Sequence, residues 1–517
     1  MPANRRDLSK ELIQFDFSHM MVEYVAAARA NVRSSLRKWV RSGSSKEKQE
    51  AIESINRLSN PPGRALKRNF ILKKEIENMA SRMAKVNESV QAVRGDAPKM
   101  MAWTELPYNQ EEVIQKAEKV AADIRAKFDT FIVFGIGGSA LGSIMLMNAL
   151  KDLHYNELSA ERRGGPRIYV EDNIDPERMT SLLNIIDLDK TCVNIISKSG
   201  NTSETMSQYL IIIDLLKRRL GDAYKDHVVV STDESKGCLR SVAESEGLVS
   251  FVIPHGVGGR FSELCPVGLL PACVAGVDVR ELLAGAAAMD ERCKSSDVFE
   301  NPALFAAALQ YASIGKGMNL HVMLPYADSL RYFADWYAQL LAESLGKNVM
   351  RDGTPCAVGQ TPVKALGVTD QHSQVQLYTE GPDDKVITFL RVEDYRANVT
   401  IPVGPKEFTD IEFLYGHTLN ELMDDEMRAT EYALLKSAKP SWCVTLPRVS
   451  AYTIGQLIYF FEMMIAYMGE LLDIDAFNQP GVEEGKNAAF ALMGRKGYEM
   501  KQIELKACPS GEEEFLF

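Results

Sequence analysis

Between residues 110 and 255 the chain alternates short apolar runs with stretches of helical spacing, and this alternation restricts the possible folds more than any other feature. The apolar runs predict strands from Thr130 to Phe134, Arg167 to Val170, Val193 to Ser197, His227 to Ser231 and Val249 to Ile253. Helices are predicted around them at 111–127, 140–152, 175–185, 203–219 and 236–246. Strands and helices in this order imply a parallel sheet covered by helices on both faces. Ligands of such sheets bind at the carboxyl ends of the strands. A second unit of the same kind is predicted from about 300, with strands from Leu320 to Leu324, Val386 to Val392 and Cys443 to Leu446, and a helix at 328–345.

The flanks read differently. Residues 1–105 are rich in Lys, Arg, Glu and Ala, and Leu72, Ile76, Met79, Met83 and Val86 recur at helical spacing, so an N-terminal helical region is expected. Within it, 42–50 reads as a solvated charge run, and Pro61, Pro62 and Gly63 as a break. From 475 onward a Pro-Gly break precedes a helix near 481 and an acidic tail. Met1 to Lys10 is polar with no apolar stretch behind it, which argues against a secretory signal. The most apolar long segment, Ile454 to Leu472, is interrupted by Gln456, Glu462 and Glu470, so it predicts a buried helix rather than a membrane span. The eight cysteines include no C-x-x-C pair, which points to reduced thiols in a cytoplasmic protein, with neither disulfides nor a zinc site. A net charge of -11 disfavours nucleic acid and acidic membranes as partners but permits a local basic pocket for a small anion.

Two loops at predicted strand ends carry anion-binding chemistry. SKSGNTSET at 197–205 offers hydroxyls, one lysine and backbone N–H groups at a helix start, which suits a phosphate dianion. It equally fits a capped Ser/Thr turn. GIGGSALGS at 135–143 satisfies G-x-G-x-x-[GA] through Gly135, Gly137 and Ala140, so a dinucleotide fold has to be weighed. The acids at the next strand end, Glu171 and Asp172, follow Ala140 by 31 and 32 residues instead of about 20. Two hydroxyl-bearing loops suit one phosphoryl group better than a dinucleotide.

Further along, GGRFS at 258–262 places Arg260 after two glycines, where a permanent positive charge can approach a developing oxyanion, though a turn with a surface arginine reads the same way. Glu343 lies near the end of the predicted helix 328–345, where the negative helix end disfavours an anion and would move the carboxyl toward the range of a general base. A solvent-facing glutamate fits too. The seven histidines show no metal-ligand spacing, so His372 suits an acid or base better than a ligand, or is simply exposed. Gln479 and Lys486 are seven residues apart, two helical turns, so both reach one pocket if the helix starts promptly after Pro480, though a helix start with a solvated lysine reads the same way.

Taken together, GIGGSALGS, SKSGNTSET, GGRFS, AESLGK at 342–347, DQHSQ at 370–374 and QPGVEEGK at 479–486 resemble the glucose-6-phosphate isomerase (phosphoglucose isomerase) family, in the family's order. The short DQHSQ form looks like the bacterial branch. The resemblance implies an α/β fold of two three-layer αβα sugar isomerase domains with five-stranded parallel sheets, at 106–295 and 296–470, plus the N-terminal helical region 1–105 and a C-terminal helical arm at 471–517. It also implies a homodimer with the active site at the subunit interface. Gly138, Ser139, Ser197, Lys198, Ser199, Thr202 and Thr205 match the phosphate cradle, and Gln339 and Gln479 match substrate-positioning glutamines. Glu343 matches the base, Arg260 the enediolate stabiliser, His372 a ring-opening acid/base supplied by the neighbouring subunit, and Lys486 a lysine near the ring oxygen. Asn478 stands where many members carry Asp. The implied activity is reversible conversion of D-glucose 6-phosphate and D-fructose 6-phosphate in glycolysis and gluconeogenesis, with no metal or other cofactor. The alternative is a phosphosugar-binding regulatory protein without catalysis, which would share the hydroxyl loop but need neither Glu343 nor Arg260.

Overall fold

The computed structural model describes residues 8–40, 45–59 and 63–508. The opening stretch through residue 7, positions 42–44 of the charge run, Pro61 and Pro62 of the expected break and the acidic tail beyond 508 lie outside the described residues. The strands are β1 (Gln14–Asp16), β2 (Thr130–Phe134), β3 (Arg167–Glu171), β4 (Thr191–Ser197), β5 (Val228–Thr232), β6 (Val249–Val252), β7 (Leu320–Pro325), β8 (Lys347–Val349), β9 (Pro355–Val358), β10 (Thr361–Lys364), β11 (Lys385–Asp394) and β12 (Ser441–Arg448).

The first sheet has the order β3-β2-β4-β5-β6 and every pair in it is parallel. Strands β2, β4 and β5 are buried along their whole length, which is why they read as near-continuous apolar runs. Connections from β2 diverge, one going to β3 on one side and the next crossing to β4 on the other. A crevice therefore opens at the carboxyl ends of β2 and β4, the position where such sheets bind ligands. Both anion loops of the sequence leave from these two strands.

The second sheet has the order β1-β12-β11-β7-β10. It too has five strands, but it differs from the expected all-parallel sheet at one edge, where β1 pairs antiparallel with β12. That edge strand comes from the segment expected to be helical. QFD is too short to show a period of two, and its pairing is decided by the chain it meets. Phe15 stacks on Phe460 at 4.3 Å between ring centroids and Phe17 on Trp442 at 5.0 Å, which binds the segment to the second unit.

The helix Ala451–Leu471 is buried except for Glu470. Its polar residue Gln456 is explained by the N-terminal segment: the side-chain Oε1 accepts from Ile13 N at 3.2 Å and Nε2 donates to Glu11 O at 2.8 Å. The helix Lys73–Ala92 buries Ile76, Met83 and Val86 of the expected stripe, in one core with Trp103 and the Ala451–Leu471 helix. No described helix is long and apolar enough to cross a membrane.

Candidate active site

Arg260 organises the site. It sits in a short turn, Gly259–Phe261, after β6, and is 3% exposed. Its Nε donates to Ser344 Oγ at 2.7 Å, while one terminal nitrogen donates to Glu343 Oε2 and Gln479 Oε1, both at 3.0 Å. The other donates to Ala476 O at 2.6 Å and Asn478 O at 3.2 Å. Burial pulls the guanidinium below its ordinary pKa and Glu343 pulls it back; an arginine stays charged throughout. A planar fork with five donors is what lets one side chain tie three segments together.

Glu343 is the half-buried carboxylate facing that fork, near the end of the helix Arg331–Leu345. Its second oxygen accepts from Gln339 Nε2, one turn earlier, at 3.0 Å. Gln339 also borders Gly137, whose absent Cβ would stand 3.0 Å from Gln339 Nε2. Gly138 lies tighter still: a Cβ there would meet Gly259 C and O at 2.1 and 2.2 Å, so only glycine lets the β2 loop lie against the Arg260 turn. Ser139 follows in the same turn, half-buried.

The second loop follows β4. Ser197 Oγ and Ser199 Oγ lie 3.0 and 3.2 Å from Thr202 Oγ1, and Ser199 Oγ also accepts from Asn201 N at 3.2 Å. Gly200 turns the chain at φ +64, a left-handed conformation glycine takes without strain. Thr205 is fully buried in the first turn of the helix Ser203–Leu220, and its hydroxyl has no hydrogen-bond partner among the described residues. Lys198 donates from Nζ to Val257 O at 2.6 Å, joining the hydroxyl loop to the strand exit that leads to Arg260. Burial lowers the Lys198 pKa. The β2 loop thus lies against the Arg260 turn, and the β4 loop, which opens into a helix N-terminus, is tied through Lys198 to the strand exit that leads to that turn.

Two expected site residues stand apart within one chain. His372 is exposed in the turn after Thr369–Gln371. That turn is anchored where β7 ends, Tyr326 OH donating to Gln371 Oε1 at 2.7 Å and Asp370 interacting electrostatically with Arg331, the first residue of the Glu343 helix. Glu343 lies twelve residues further, about 18 Å along the helix axis. Lys486 is exposed on the helix Glu483–Leu492 and pairs with Glu483 at 2.9 Å. A three-residue turn, Pro480–Val482, delays that helix, and among the described residues no hydrogen bond joins Lys486 to Gln479 or Glu343.

Sequence reasoning passed over Lys347. Its ammonium donates to Glu343 O at 2.5 Å, Ser344 O at 3.0 Å and Asn478 O at 3.0 Å. The signal was present, since Lys347 closes the AESLGK motif, but a lysine after a helix reads as solvated until its partners are known.

The family model described as phosphoglucose isomerase matches residues 74–504. The chain belongs to the phosphoglucose isomerase family. Among relatives of this family, the glucose-6-phosphate isomerase of Carboxydothermus hydrogenoformans is 58% identical over 400 residues, 77% of this chain and 86% of that protein. That of Rubrobacter xylanophilus is 41% identical over 427 residues, 82% of this chain and 95% of the relative. A crystal structure of a hypothetical protein from Thermus thermophilus superposes with a TM-score of 0.75 at 36% identity, covering 81% of this chain and 97% of the other. A Chlamydia trachomatis glucose-6-phosphate isomerase shares the fold at a TM-score of 0.68 and 22% identity, over 83% of this chain and 88% of the other. Strand β1 lies ahead of the residues matched to the phosphoglucose isomerase family, yet it completes the second sheet.

Proposed function

We propose that this phosphoglucose isomerase family member interconverts D-glucose 6-phosphate and D-fructose 6-phosphate through a cis-enediolate, with Glu343 as the base. The observation that carries the reading is the Glu343 carboxylate held between Arg260 and Gln339, beside a loop of phosphate-binding character. Ser139, Ser197, Lys198, Ser199, Thr202 and Thr205 hold the phosphoryl group, with Gly138 giving the backbone its close approach. Because the phosphate is remote from the reacting carbons, its binding orients the sugar. After ring opening, Glu343 takes the proton from C2 and the electron pair moves into the C1–C2 enediolate. Arg260 stabilises the negative oxygen, and the protonated Glu343 returns the proton to C1. Gln339 and Gln479 hold the sugar hydroxyls. No metal enters these steps.

His372 opens the ring in the site of a neighbouring subunit, with Lys486 beside the ring oxygen. The exposure of His372 and its placement at the opposite end of the helix from Glu343 support this arrangement. So do exposed apolar side chains, Leu377 shortly after His372, Leu492 and Met500 in the C-terminal helices and Met493 between them, a surface of the sort that assembly covers. We therefore read the protein as a homodimer whose domains 106–295 and 296–470 frame each site, acting in the cytoplasm, where its eight cysteines stay reduced.

The test is a coupled assay of fructose 6-phosphate conversion with and without chelator. Glu343→Gln is expected to lower kcat about a hundred- to ten-thousandfold while the dissociation constant for substrate changes little. A variant retaining most of its rate removes Glu343 from the mechanism, and loss of the wild-type rate on chelation removes the metal-free route.

A further inference from the structure

The loop that carries Gln479 leans on two cations. Among the described residues, every hydrogen bond from segment 476–479 to the body of the protein runs to Arg260 or Lys347. The remaining bonds of the segment are local: Asp475 accepts from Phe477 N at 2.9 Å and Asn478 Nδ2 at 2.7 Å, and Gln479 O accepts from Val482 N. Arg260 belongs to the reaction. Among the described residues Lys347 donates no hydrogen bond to the side chain of Gln479 or of Glu343, yet its ammonium bonds the main-chain carbonyls of Glu343 and Ser344 on one side and of Asn478 on the other.

Helices leave their last carbonyls without partners, and a lysine commonly satisfies them. Here the same head group takes one acceptor from a different segment, so it fastens the Gln479 loop to the end of the Glu343 helix. We propose that Lys347 is a positioning residue whose three-donor ammonium sets the distance between Gln479 and Glu343. This inference rests on the isomerase reading of the site.

The arithmetic of donors makes the device sensitive to protonation. An ammonium has three N–H bonds for three carbonyls; a neutral amine has two. Burial, then the nearby Arg260 charge, brings the Lys347 pKa down to about 8, against attraction from Asp475 and Glu343. Lys347 also lines a cleft of about 950 Å3 whose other charged walls are Lys99, Arg351, Glu470 and Asp475. The three-point tie is complete below that pH and loses one bond as pH rises through it.

Steady-state kinetics from pH 6 to 10 and hydrogen exchange at 476–482 test this in the full chain. Lys347→Met is expected to lower kcat about ten- to a hundredfold, leave inhibition by inorganic phosphate unchanged and speed amide exchange in the loop. Lys347→Arg, with donors that do not titrate, is expected to recover kcat to within a few fold and to move the alkaline fall in wild-type kcat from near pH 8 to above pH 9. Unchanged loop exchange in Lys347→Met, or a Lys347→Arg alkaline limb still near that of the wild type, overturns the role of Lys347. If Lys347→Met does not fold, the Lys347→Arg pH profile decides alone. Absence of wild-type isomerase activity refutes the isomerase reading, and the exchange measurement still judges the tie separately.

Discussion

Thr205 is buried completely with its hydroxyl unpaired in the first turn of the helix Ser203–Leu220. A buried hydroxyl without a partner costs stability, so such a group makes sense where a ligand supplies the missing bond. Thr205→Val keeps the shape and removes the hydroxyl. It is expected to leave urea stability equal to or above wild type, because an unsatisfied group has gone, while KM for fructose 6-phosphate rises about tenfold or more. A fall in stability with KM unchanged would make Thr205 a packing residue. At Arg260 five donors are already taken by protein groups, so in the proposed reaction it reaches the substrate by exchanging partners at Glu343 and Gln479.

Among the elements, the helix Ala451–Leu471 sets how closely the two α/β units approach. It crosses the helix Val279–Arg292 through a pair of glycines: a Cβ on Gly455 would stand 1.9 Å from Leu282 O, and one on Gly285 would stand 1.9 Å from Tyr452 O. Alanine is the better helix former by about 1 kcal/mol, which argues for a gain on substitution. Overpacking against a backbone carbonyl costs about 1–3 kcal/mol, and the carbonyl belongs to another helix that cannot rotate away. Gly455→Ala is therefore expected to be net destabilising in urea unfolding; an increase in midpoint would show that the crossing is loose.

Over the whole molecule, stability should depend on two fully buried carboxyls that the reaction does not use. Glu263 fills the space beside Gly142 and Gly268, and burial raises its pKa to about 8. Glu462, on the Ala451–Leu471 helix, is raised well above the ordinary value by burial and then by Glu263. For Glu263 the folded value exceeds the unfolded value near 4.5, so the folded state holds the extra proton between the two. Its contribution is complete below about pH 4.5 and is lost as pH climbs through about 8, with a slope near 1.4 kcal/mol per pH unit in between. Glu263→Gln mimics the protonated acid and should gain on wild type as pH rises across that window. A pH-independent difference would place an ionised carboxylate in the core.

Much of this protein was legible before any coordinates, because the deciding signals are local. Strands β2, β4 and β5 are apolar on both faces, and the helix Glu111–Lys127 matches the expected 111–127, since pattern and flanking breaks suffice for buried elements. Glycines and hydroxyls at the ends of β2 and β4 marked the two loops for the same reason. Edge strand β1 and the role of Gln456 were not legible, since QFD and a lone glutamine acquire meaning only from partners over four hundred residues away. Lys347 likewise looks like a solvated residue, and Arg260 and Gln479 stand out by their motifs and not by their spacing, until the fold brings three distant segments within hydrogen-bonding distance. Local patterning determined the elements and the hydroxyl- and glycine-rich loops at the strand ends; only tertiary packing decided which charges meet, because a hydrogen bond depends on separation in space and carries no mark in sequence spacing.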